Sequence, residues 1–284
     1  MNRNAIASSL RRLVVLLVIL APAGAGAAGV WTKLESGLDV AVFDVTEREA
    51  RDDGDLIVLR LDPALWRLEV LSVEAPRSTT GAADRPRRVA QWCREFGLVA
   101  AINAGMYQAD RRTHVGFCKI DGRVTNPAAN DYLSVLACDP VDSTDVPFRI
   151  FDLDTDPLPS ITARYRTVIQ NLRLIKRSGE NRWQPSTDRW SESALGEDWQ
   201  GRILMIHCAA ELSMYELNEL LLELPLGLVA AQHLEGSTPA RFWIEHPTWQ
   251  ALLLGSREQN SPELPMVLGA ARRRPHDDVP AGER

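Results

Sequence analysis

The chain has 284 residues, of which 45% are hydrophobic and 25% are charged. These values are ordinary for a globular protein, and the length favours one domain with a sizeable core. The formal net charge of −6 argues against a nucleic-acid-binding protein, and no basic stripe with interleaved aromatic residues opposes that interpretation. The four cysteines are too few for a disulfide scaffold and do not have the paired spacing of a zinc site.

The first 27 residues have the features of a secretory signal peptide, in the expected order. Arg3, Arg11 and Arg12 precede an unbroken apolar run over residues 13–20, and small residues over 21–27 form a cleavage pattern. The apolar run is too short to span a bilayer, which takes about 20 residues. We therefore predict cleavage, with an uncleaved anchor as the alternative. The mature chain is expected in the periplasm or secreted, without a transmembrane segment.

Short strands dominate the first half of the remaining sequence. Apolar runs over residues 56–61 and 65–71, separated by Asp62 and Pro63, predict a hairpin. A helix is predicted over 86–96, and Gly97 supplies its stop. Asp121 and Gly122 predict a tight turn between two further strands. Additional strands are expected over 39–43, 98–103, 115–120, 132–137, 148–153 and 165–170.

The second half is predicted to alternate strands with one clear helix. Residues 177–200 indicate a long excursion over the surface, and strands are expected over 202–207, 228–234 and 240–244. Ser213 and Glu216 form a capping box that opens an amphipathic helix. Proline, arginine, aspartate and glycine dominate beyond Pro262 and predict a loose tail. Cys118 and Cys138, in neighbouring predicted strands, are the first choice for a disulfide in an oxidising compartment.

These elements predict an α+β fold with one domain. Its mixed, largely antiparallel twisted sheet carries a few flanking helices. The predicted organisation is a signal peptide (1–27), N-terminal strands and a helix (28–97), a core (98–255) and a loose C-terminal tail (256–284).

Most familiar catalytic signatures are absent, including GxSxG, GxGxxG, HExxH and a phosphate loop. Polar residues nevertheless stand where predicted strands end, and functional sites are often built at such positions. Asn103 follows an apolar run and precedes two small residues, Ala104 and Gly105. Either a ligand approaches closely at this point, or the asparagine only satisfies a turn.

A second segment, around residues 114–119, combines polar groups with a strand. Alternation puts His114, Gly116 and Cys118 on one face and Lys119 on the other. A ligand site and a solvated hairpin face explain this pattern about equally well.

The third segment ends an apolar strand with Glu235, followed by Gly236 and Ser237. A carboxylate at such a strand end can serve as a general acid or base if burial raises its pKa. Arg173 is a cation within an apolar segment, which indicates either the partner of a buried carboxylate or a fork for an anionic substrate.

Together these segments resemble the phosphodiester glycosidase family, including its exported bacterial members. The resemblance rests on four blocks in the right order, within residues 98–244. Family members commonly have an Asp-Gly-Gly-Gly-Ser-like run where this chain has Glu235-Gly236-Ser237-Thr238, and an Asn-Gly-Gly-Phe-Phe-like run at residues 103–107. The four blocks are residues 101–107, 115–122, 170–175 and 213–237.

The resemblance implies an exported hydrolase of glycosyl phosphodiesters or related envelope glycans. In this interpretation, Glu235 acts as general base or nucleophile, Arg173 clamps the phosphate, and Asn103 holds a sugar hydroxyl or the phosphate. A second carboxylate is sought at Asp121 or Asp131. The remaining expected substrate-binding residues are Gly105, His114, Gly116, Lys119, Gly236 and Ser237.

No cofactor is required by the sequence, although a divalent cation bridging phosphate and carboxylates is compatible with it. The expected partner is a sugar-phosphate or glycan substrate, and the sequence makes no prediction of an oligomeric state. The main alternative is a non-catalytic carbohydrate- or envelope-binding protein that keeps the fold, which the altered turn after Glu235 favours. A third interpretation is an exported scaffold protein without a small-molecule site.

Overall fold

A computed structural model describes residues 31–45, 55–75, 85–254 and 262–273. The predicted signal peptide lies outside the described residues. Within those ranges the chain forms seventeen strands and three helices. They are β1 (Thr32–Glu35), β2 (Leu38–Asp44), β3 (Asp55–Leu61), β4 (Trp66–Ser72), α1 (Val89–Phe96), β5 (Ala100–Asn103), β6 (Cys118–Ile120), β7 (Arg123–Asn126), β8 (Leu133–Pro140), β9 (Phe148–Asp152), α2 (Leu158–Arg164), β10 (Tyr165–Lys176), β11 (Glu180–Asn181), β12 (Trp190–Asp198), β13 (Ile203–Leu212), α3 (Met214–Glu223), β14 (Leu228–Gly236), β15 (Arg241–His246), β16 (Trp249–Leu254) and β17 (Met266–Arg272).

The strands form two antiparallel sheets. The larger sheet has the order β1-β2-β3-β13-β12-β14-β10-β6-β7, with β8 and then β9 on the other side of β10. The smaller sheet has the order β16-β15-β5-β17-β4. The predicted α+β class, with a largely antiparallel sheet and few helices, is confirmed. No described helix is long and apolar enough to cross a membrane.

The main core lies between the two sheets. Met205 and Leu195 from the larger sheet pack in one cluster with Ile102 and Phe242 from the smaller sheet. Helix α3 covers the opposite face of the larger sheet, and α1 covers the outer face of the smaller one through Trp92. Both sheets are therefore covered by apolar contacts, and sites must form where the strands end.

The predicted local signals are confirmed. Helix α1 ends at Gly97, which has a φ of 65°. The β6–β7 turn has positive φ values at both Asp121 (49°) and Gly122 (84°), as a two-residue hairpin requires. At the start of α3, the Ser213 N–H donates to Glu216 Oε2 at 3.0 Å, and the Glu216 N–H donates to Ser213 Oγ at 3.3 Å.

The predicted hairpin between β3 and β4 is wrong. Strand β3 pairs with β2 on one side and β13 on the other, so both of its edges are occupied. The turn at Asp62 and Pro63 instead carries the chain from the larger sheet to the smaller one, where β4 pairs with β17. A turn signal marks the end of a strand but does not determine its partner.

Two other segments are more ordered than the sequence suggested. Residues 177–200 were expected on the surface, but they contain β12, a largely buried strand between β13 and β14. The expected loose tail after Pro262 contains β17, which is buried between β4 and β5. The polar and glycine-rich composition of these segments hid strands whose burial depends on distant partners.

The suggested disulfide between Cys118 and Cys138 is not formed. All four cysteines are buried and free. Strand β10 lies between β6 and β8, because Ile169 pairs with Cys118 on one side and Leu136 on the other. Two strand spacings amount to about 10 Å, more than the separation of about 7 Å that a disulfide can bridge.

Candidate active site

Glu235 lies at the end of β14, where the regular pairing with β12 is interrupted. Ser193 of β12 is opposite Glu235, but the next residue of β12, Ala194, is opposite His233, so β14 has one extra residue at this point. Such bulges re-aim side chains and are common next to functional sites. The Glu235 side chain is half-buried as a result.

The turn after Glu235 is tightly packed. A Cβ atom added to Gly236 would lie 2.5 Å from Cδ1 of Trp190, so a larger residue would displace the indole ring. Ser237 has a φ of 56°, and its N–H donates to the Ser191 carbonyl at 2.9 Å. The predicted need for small residues at this strand end is explained by this contact with Trp190.

A buried pair of ionisable groups supports the strand end. His233 Nδ1 lies 2.5 Å from Glu192 Oε1, and the Trp190 indole N–H donates to Glu192 Oε2 at 2.9 Å. Burial lowers the pKa of His233, but the Glu192 carboxylate outweighs this effect and raises it overall. His233 is therefore the cation of this cluster, and it faces two carboxylates, Glu192 and Glu235.

The ionisation of Glu235 is set mainly by its burial. Burial raises the pKa of Glu235 from 4.5 to about 7, with a further contribution from the Glu192 charge. His233 and the backbone N–H of Gly236 oppose the increase. Among the described residues, no cationic nitrogen lies within 4.0 Å of the Glu235 carboxylate. At neutral pH this carboxyl can therefore exist in either protonation state, which suits a general acid or base.

A second polar cluster forms around Gly105. Its φ is 151°, and an added Cβ would lie 2.3 Å from Asn171 Oδ1 and 2.5 Å from His114 Nε2. The Asn171 Nδ2 group donates to the Ala104 carbonyl at 3.1 Å. The Asn171 Oδ1 atom lies 3.2 Å from His114 Nε2. The glycine therefore allows the backbone to pass directly against these two side chains.

His114 is buried and held in one tautomer. Since the oxygen of Asn171 can only accept, Nε2 of His114 carries the hydrogen, and Nδ1 accepts the Gly116 N–H at 3.1 Å. Burial lowers the pKa of His114, which keeps the ring neutral. Gly116 packs against Gln170. A Cβ atom added to Gly116 would lie 2.9 Å from the backbone carbonyl oxygen of Gln170. The interpretation of this segment as a solvated hairpin face is wrong at His114.

Asn103 and Tyr107 link the two clusters. Asn103 is fully buried, and its Oδ1 accepts the Arg241 N–H at 3.2 Å. Its Nδ2 has no hydrogen-bond partner among the described residues. The hydroxyl of Tyr107 donates to the Met266 carbonyl at 2.8 Å, and burial together with the nearby Glu235 charge raises the pKa of Tyr107. Asn103 is thus a buried donor near the turn that follows Glu235.

Lys119 and Arg173 are not brought into this arrangement. The Lys119 ammonium donates to the carbonyls of Thr162 and Tyr165, both at 2.8 Å. Arg173 lies 3.3 Å from Asp152 and 3.1 Å from Asp154. Of the two interpretations of Arg173, the structure supports the partner of a buried carboxylate, because its Nη1 contacts the buried Asp152 as well as the more exposed Asp154.

The structure does not show either suggested aspartate, Asp121 or Asp131, in contact with Glu235. Asp121 is in the β6–β7 turn and Asp131 is exposed in the loop before β8. The carboxylate whose charge acts on Glu235 is Glu192, with His233 as its partner, and neither residue was predicted. Among the described residues, no group of three or more His, Cys, Asp or Glu side chains is arranged to hold a metal ion. A bridging divalent cation remains a prediction.

Comparison with known proteins supports the family resemblance of the four sequence blocks. The family model for phosphodiester glycosidases matches residues 96–268. The chain belongs to the phosphodiester glycosidase family. The matched range includes Asn103, Gly105, His114, Asn171, Glu192, His233 and Glu235.

Two solved structures share the fold at low sequence identity. One is the catalytic domain of zebrafish N-acetylglucosamine-1-phosphodiester alpha-N-acetylglucosaminidase, auto-inhibited by its pro-peptide. It has 15% identity and a TM-score of 0.60, with 87% of each chain covered. The other is a hypothetical protein from Synechocystis, with 12% identity and a TM-score of 0.61, covering 87% of this chain and 64% of that one. No curated protein matches this chain by sequence.

Proposed function

We propose that this protein is an exported hydrolase that cleaves glycosyl phosphodiesters, with Glu235 as its general acid–base residue. Family membership supports the reaction class. The observation that carries the residue assignment is the half-buried Glu235, whose pKa is raised to about 7 at a bulged strand end. The signal-peptide-like N-terminus supports export to the periplasm or medium.

The reaction breaks the bond between the anomeric carbon and a phosphate oxygen. Water supplies an oxygen and one hydrogen to the sugar, and its other proton passes through the base to the departing phosphate or to solvent. The products are a free sugar and a phosphate monoester. Because a phosphate is a good leaving group with a second pKa near 6, it needs little protonation to depart. Glu235 is therefore assigned to take the proton from the attacking water.

The neighbouring residues orient this base and the substrate. The ion pair of His233 with Glu192 places a positive charge beneath Glu235 and keeps a second negative charge buried. The unpaired Nδ2 of Asn103 is assigned to a phosphate oxygen or a sugar hydroxyl, since it is a donor without a partner among the described residues. Arg173 is not assigned to the phosphate, because Asp152 and Asp154 already occupy it.

The test is hydrolysis of a panel of aryl glycosyl phosphodiesters by the wild type and by Glu235→Gln. Loss of a general base typically lowers the rate by about 10²- to 10⁴-fold, so we expect a loss in that range without a lower melting temperature. Glu263→Gln is the matched control, because Glu263 is exposed and lies outside the cluster. Equal turnover by wild type and Glu235→Gln would refute the assignment.

The non-catalytic alternative is tested by the same proteins. The chain has Glu235-Gly236-Ser237-Thr238 where family members commonly have an Asp-Gly-Gly-Gly-Ser-like run, and this departure favours glycan binding without hydrolysis. Absence of turnover by the wild type on the whole panel, together with measurable glycan binding, would establish that alternative and exclude the hydrolase.

A further inference from the structure

A groove lies at the other end of β14, away from Glu235. Its volume is about 520 Å³, within the range of about 300–1,000 Å³ that small-molecule sites occupy. Val229, near the start of β14, lines the groove, and six residues separate it from Glu235. At about 3.3 Å per strand residue, the two places are about 20 Å apart.

An exposed tryptophan forms one side of this groove. Trp199 is 70% exposed, although large apolar side chains usually lie inside or against other chains. Its backbone N–H donates to the Gly227 carbonyl at 2.9 Å. A Cβ added to Gly227 would lie 2.5 Å from Trp199 Cδ1, so the ring rests directly on this glycine. The indole is therefore a fixed flat surface open to solvent.

The charges in the groove do not cancel. Glu197 is paired with Arg177, and Asp198 is paired with Arg202 at 2.6 Å. Arg149 also lines the groove, and no carboxylate of the described residues lies within 4.0 Å of its guanidinium, which sits 5.8 Å from the Phe151 ring centroid. Arg149 therefore adds a positive charge to the groove wall beyond the two ion pairs, although it also acts on Glu197, where burial raises the pKa of the carboxyl and the Arg149 charge opposes that increase.

Arg177, which also lines the groove, has one guanidinium N–H without a hydrogen-bond partner among the described residues. Nε of Arg177 is buried and has no hydrogen-bond partner among the described residues, whereas its Nη2 donates to the Ile150 carbonyl at 3.0 Å. Guanidinium groups bind phosphate oxygens through paired N–H donors. The flat indole suits the C–H face of a sugar ring, and Arg149 suits an anionic substituent on it.

We propose that the groove around Trp199 and Arg149 is a second saccharide-binding site that takes an anionic sugar, such as a sugar phosphate. It holds the ligand by stacking and charge, and it does not take part in bond cleavage. The site stands independently of the role given to Glu235, since it shares no side chain with that cluster.

Two tryptophans allow binding at the two places to be told apart. Trp199 lies in the groove, whereas Trp190 packs on Gly236 beside Glu235. In ¹⁵N-labelled protein, each of the eight tryptophans gives one indole N–H signal, and Trp199→Phe and Trp190→Phe identify these two. Glucose 1-phosphate is titrated into protein carrying Glu235→Gln, so that a failure of the proposed hydrolysis cannot affect the result. Glucose and inorganic phosphate are titrated separately.

We expect glucose 1-phosphate to move the Trp199 signal and to bind at least tenfold more tightly than either glucose or phosphate. Trp199→Ala and Arg149→Gln should each weaken binding at least fivefold. Trp199→Phe keeps a flat ring and should stay within about threefold. Arg166→Gln, a change of an exposed arginine on β10, is the matched control and should bind like the parent protein.

Several outcomes would overturn the proposal. Movement of the Trp190 signal alone would place the ligand at the Glu235 cluster. Equal binding by Arg149→Gln and the parent, or by Trp199→Ala and the parent, would remove the groove from recognition. A dimer that becomes a monomer with Trp199→Ala would assign the exposed indole to self-association.

Discussion

Two groups of buried charges lie along the paired strands β12 and β14, and they differ in how the charges are balanced. At one end, which we call the Arg177 end, Glu197 and Asp198 each have their own arginine. At the other, the Glu235 end, Glu192 and Glu235 both act on one histidine, His233.

This difference separates charges that hold the fold from charges that are available for chemistry. Burial raises the pKa of Glu197, but Arg177 and the Ile150 N–H, 2.7 Å away, hold its charge in place. Glu235 has no cationic nitrogen within 4.0 Å among the described residues, and its pKa is raised to about 7. A shortage of one cation is thus enough to create a titratable group near neutral pH.

The largest expected effect on stability is at the Arg177 end. Arg177→Met removes the cation from Glu197, whose side chain is only 6% exposed. Leaving a buried carboxylate without its partner costs about 3–5 kcal/mol, so the free energy of unfolding should fall by that amount at pH 7. Urea denaturation measures it, and a loss below about 1 kcal/mol would show that the pair is not buried in solution.

Glu235→Gln should instead stabilise the protein, depending on pH. The folded-state pKa of about 7 exceeds the unfolded value of 4.5, so folding favours the protonated carboxyl. The stability from this group is complete below pH 4.5 and is lost as the pH rises through 7. The neutral glutamine should therefore be more stable than wild type by about 3 kcal/mol at pH 8, and nearly equal to it at pH 4.5.

The measurement is urea unfolding of both proteins from pH 4.5 to pH 8, with Glu263→Gln as the exposed control. A difference that does not change with pH would mean that Glu235 titrates normally. If the glutamine variant were less stable at pH 8, the carboxylate would have a stabilising partner, contrary to the structure.

Glu192→Gln should raise the pKa of Glu235 above its value of about 7. The Glu192 carboxylate is what outweighs the burial of His233, so without it the histidine becomes neutral, and the loss of its charge has a larger effect on Glu235 than the loss of the Glu192 repulsion. Carboxyl ¹³C NMR titration follows Glu235 directly, whether or not the protein turns over a substrate. An unchanged or lower pKa would show that His233 keeps its charge without Glu192.

The smallest expected effect is at an exposed ion pair. Arg182 and Glu180 are 3.4 Å apart, with side chains 62% and 55% exposed. Because solvent screens such pairs, Arg182→Met should change the free energy of unfolding by no more than about 0.5 kcal/mol. This variant is the control for Arg177→Met, and a loss as large as at Arg177 would mean that the arginine stem, not the charge, matters.

The two ends also show how far the sequence could be interpreted. Glu235 was predicted because it stops an apolar strand directly before small residues, and that signal is local. Glu192 was not predicted, because it belongs to a segment rich in Ser, Glu and Asp, and this composition is typical of surface segments. Only the positions of β13 and β14 on either side bury these polar residues, and no local pattern encodes those neighbours.

The same limit explains the errors in the fold. The β6–β7 hairpin and the cap of α3 depend on a few adjacent residues, and both were predicted correctly. The partners of β3, β4 and β17 are far apart in sequence, so the predicted hairpin and the predicted loose tail were wrong. Arg173 could be predicted only in part. Its apolar sequence neighbours indicated that it pairs with a buried carboxylate, but they did not indicate which carboxylate.

The position of β17 has a consequence for how this chain acquires its structure. β17 is inserted between β5 and the edge strand β4, so β4 stays separated from the rest of the smaller sheet until the last described strand pairs. Pairing between strands that are far apart in sequence is slow, and strands with unpaired edges are prone to aggregate before their partners are available. A chain emerging N-terminus first therefore cannot join β4 to β5 until β17 has been synthesised, and truncation before Met266 should yield insoluble product.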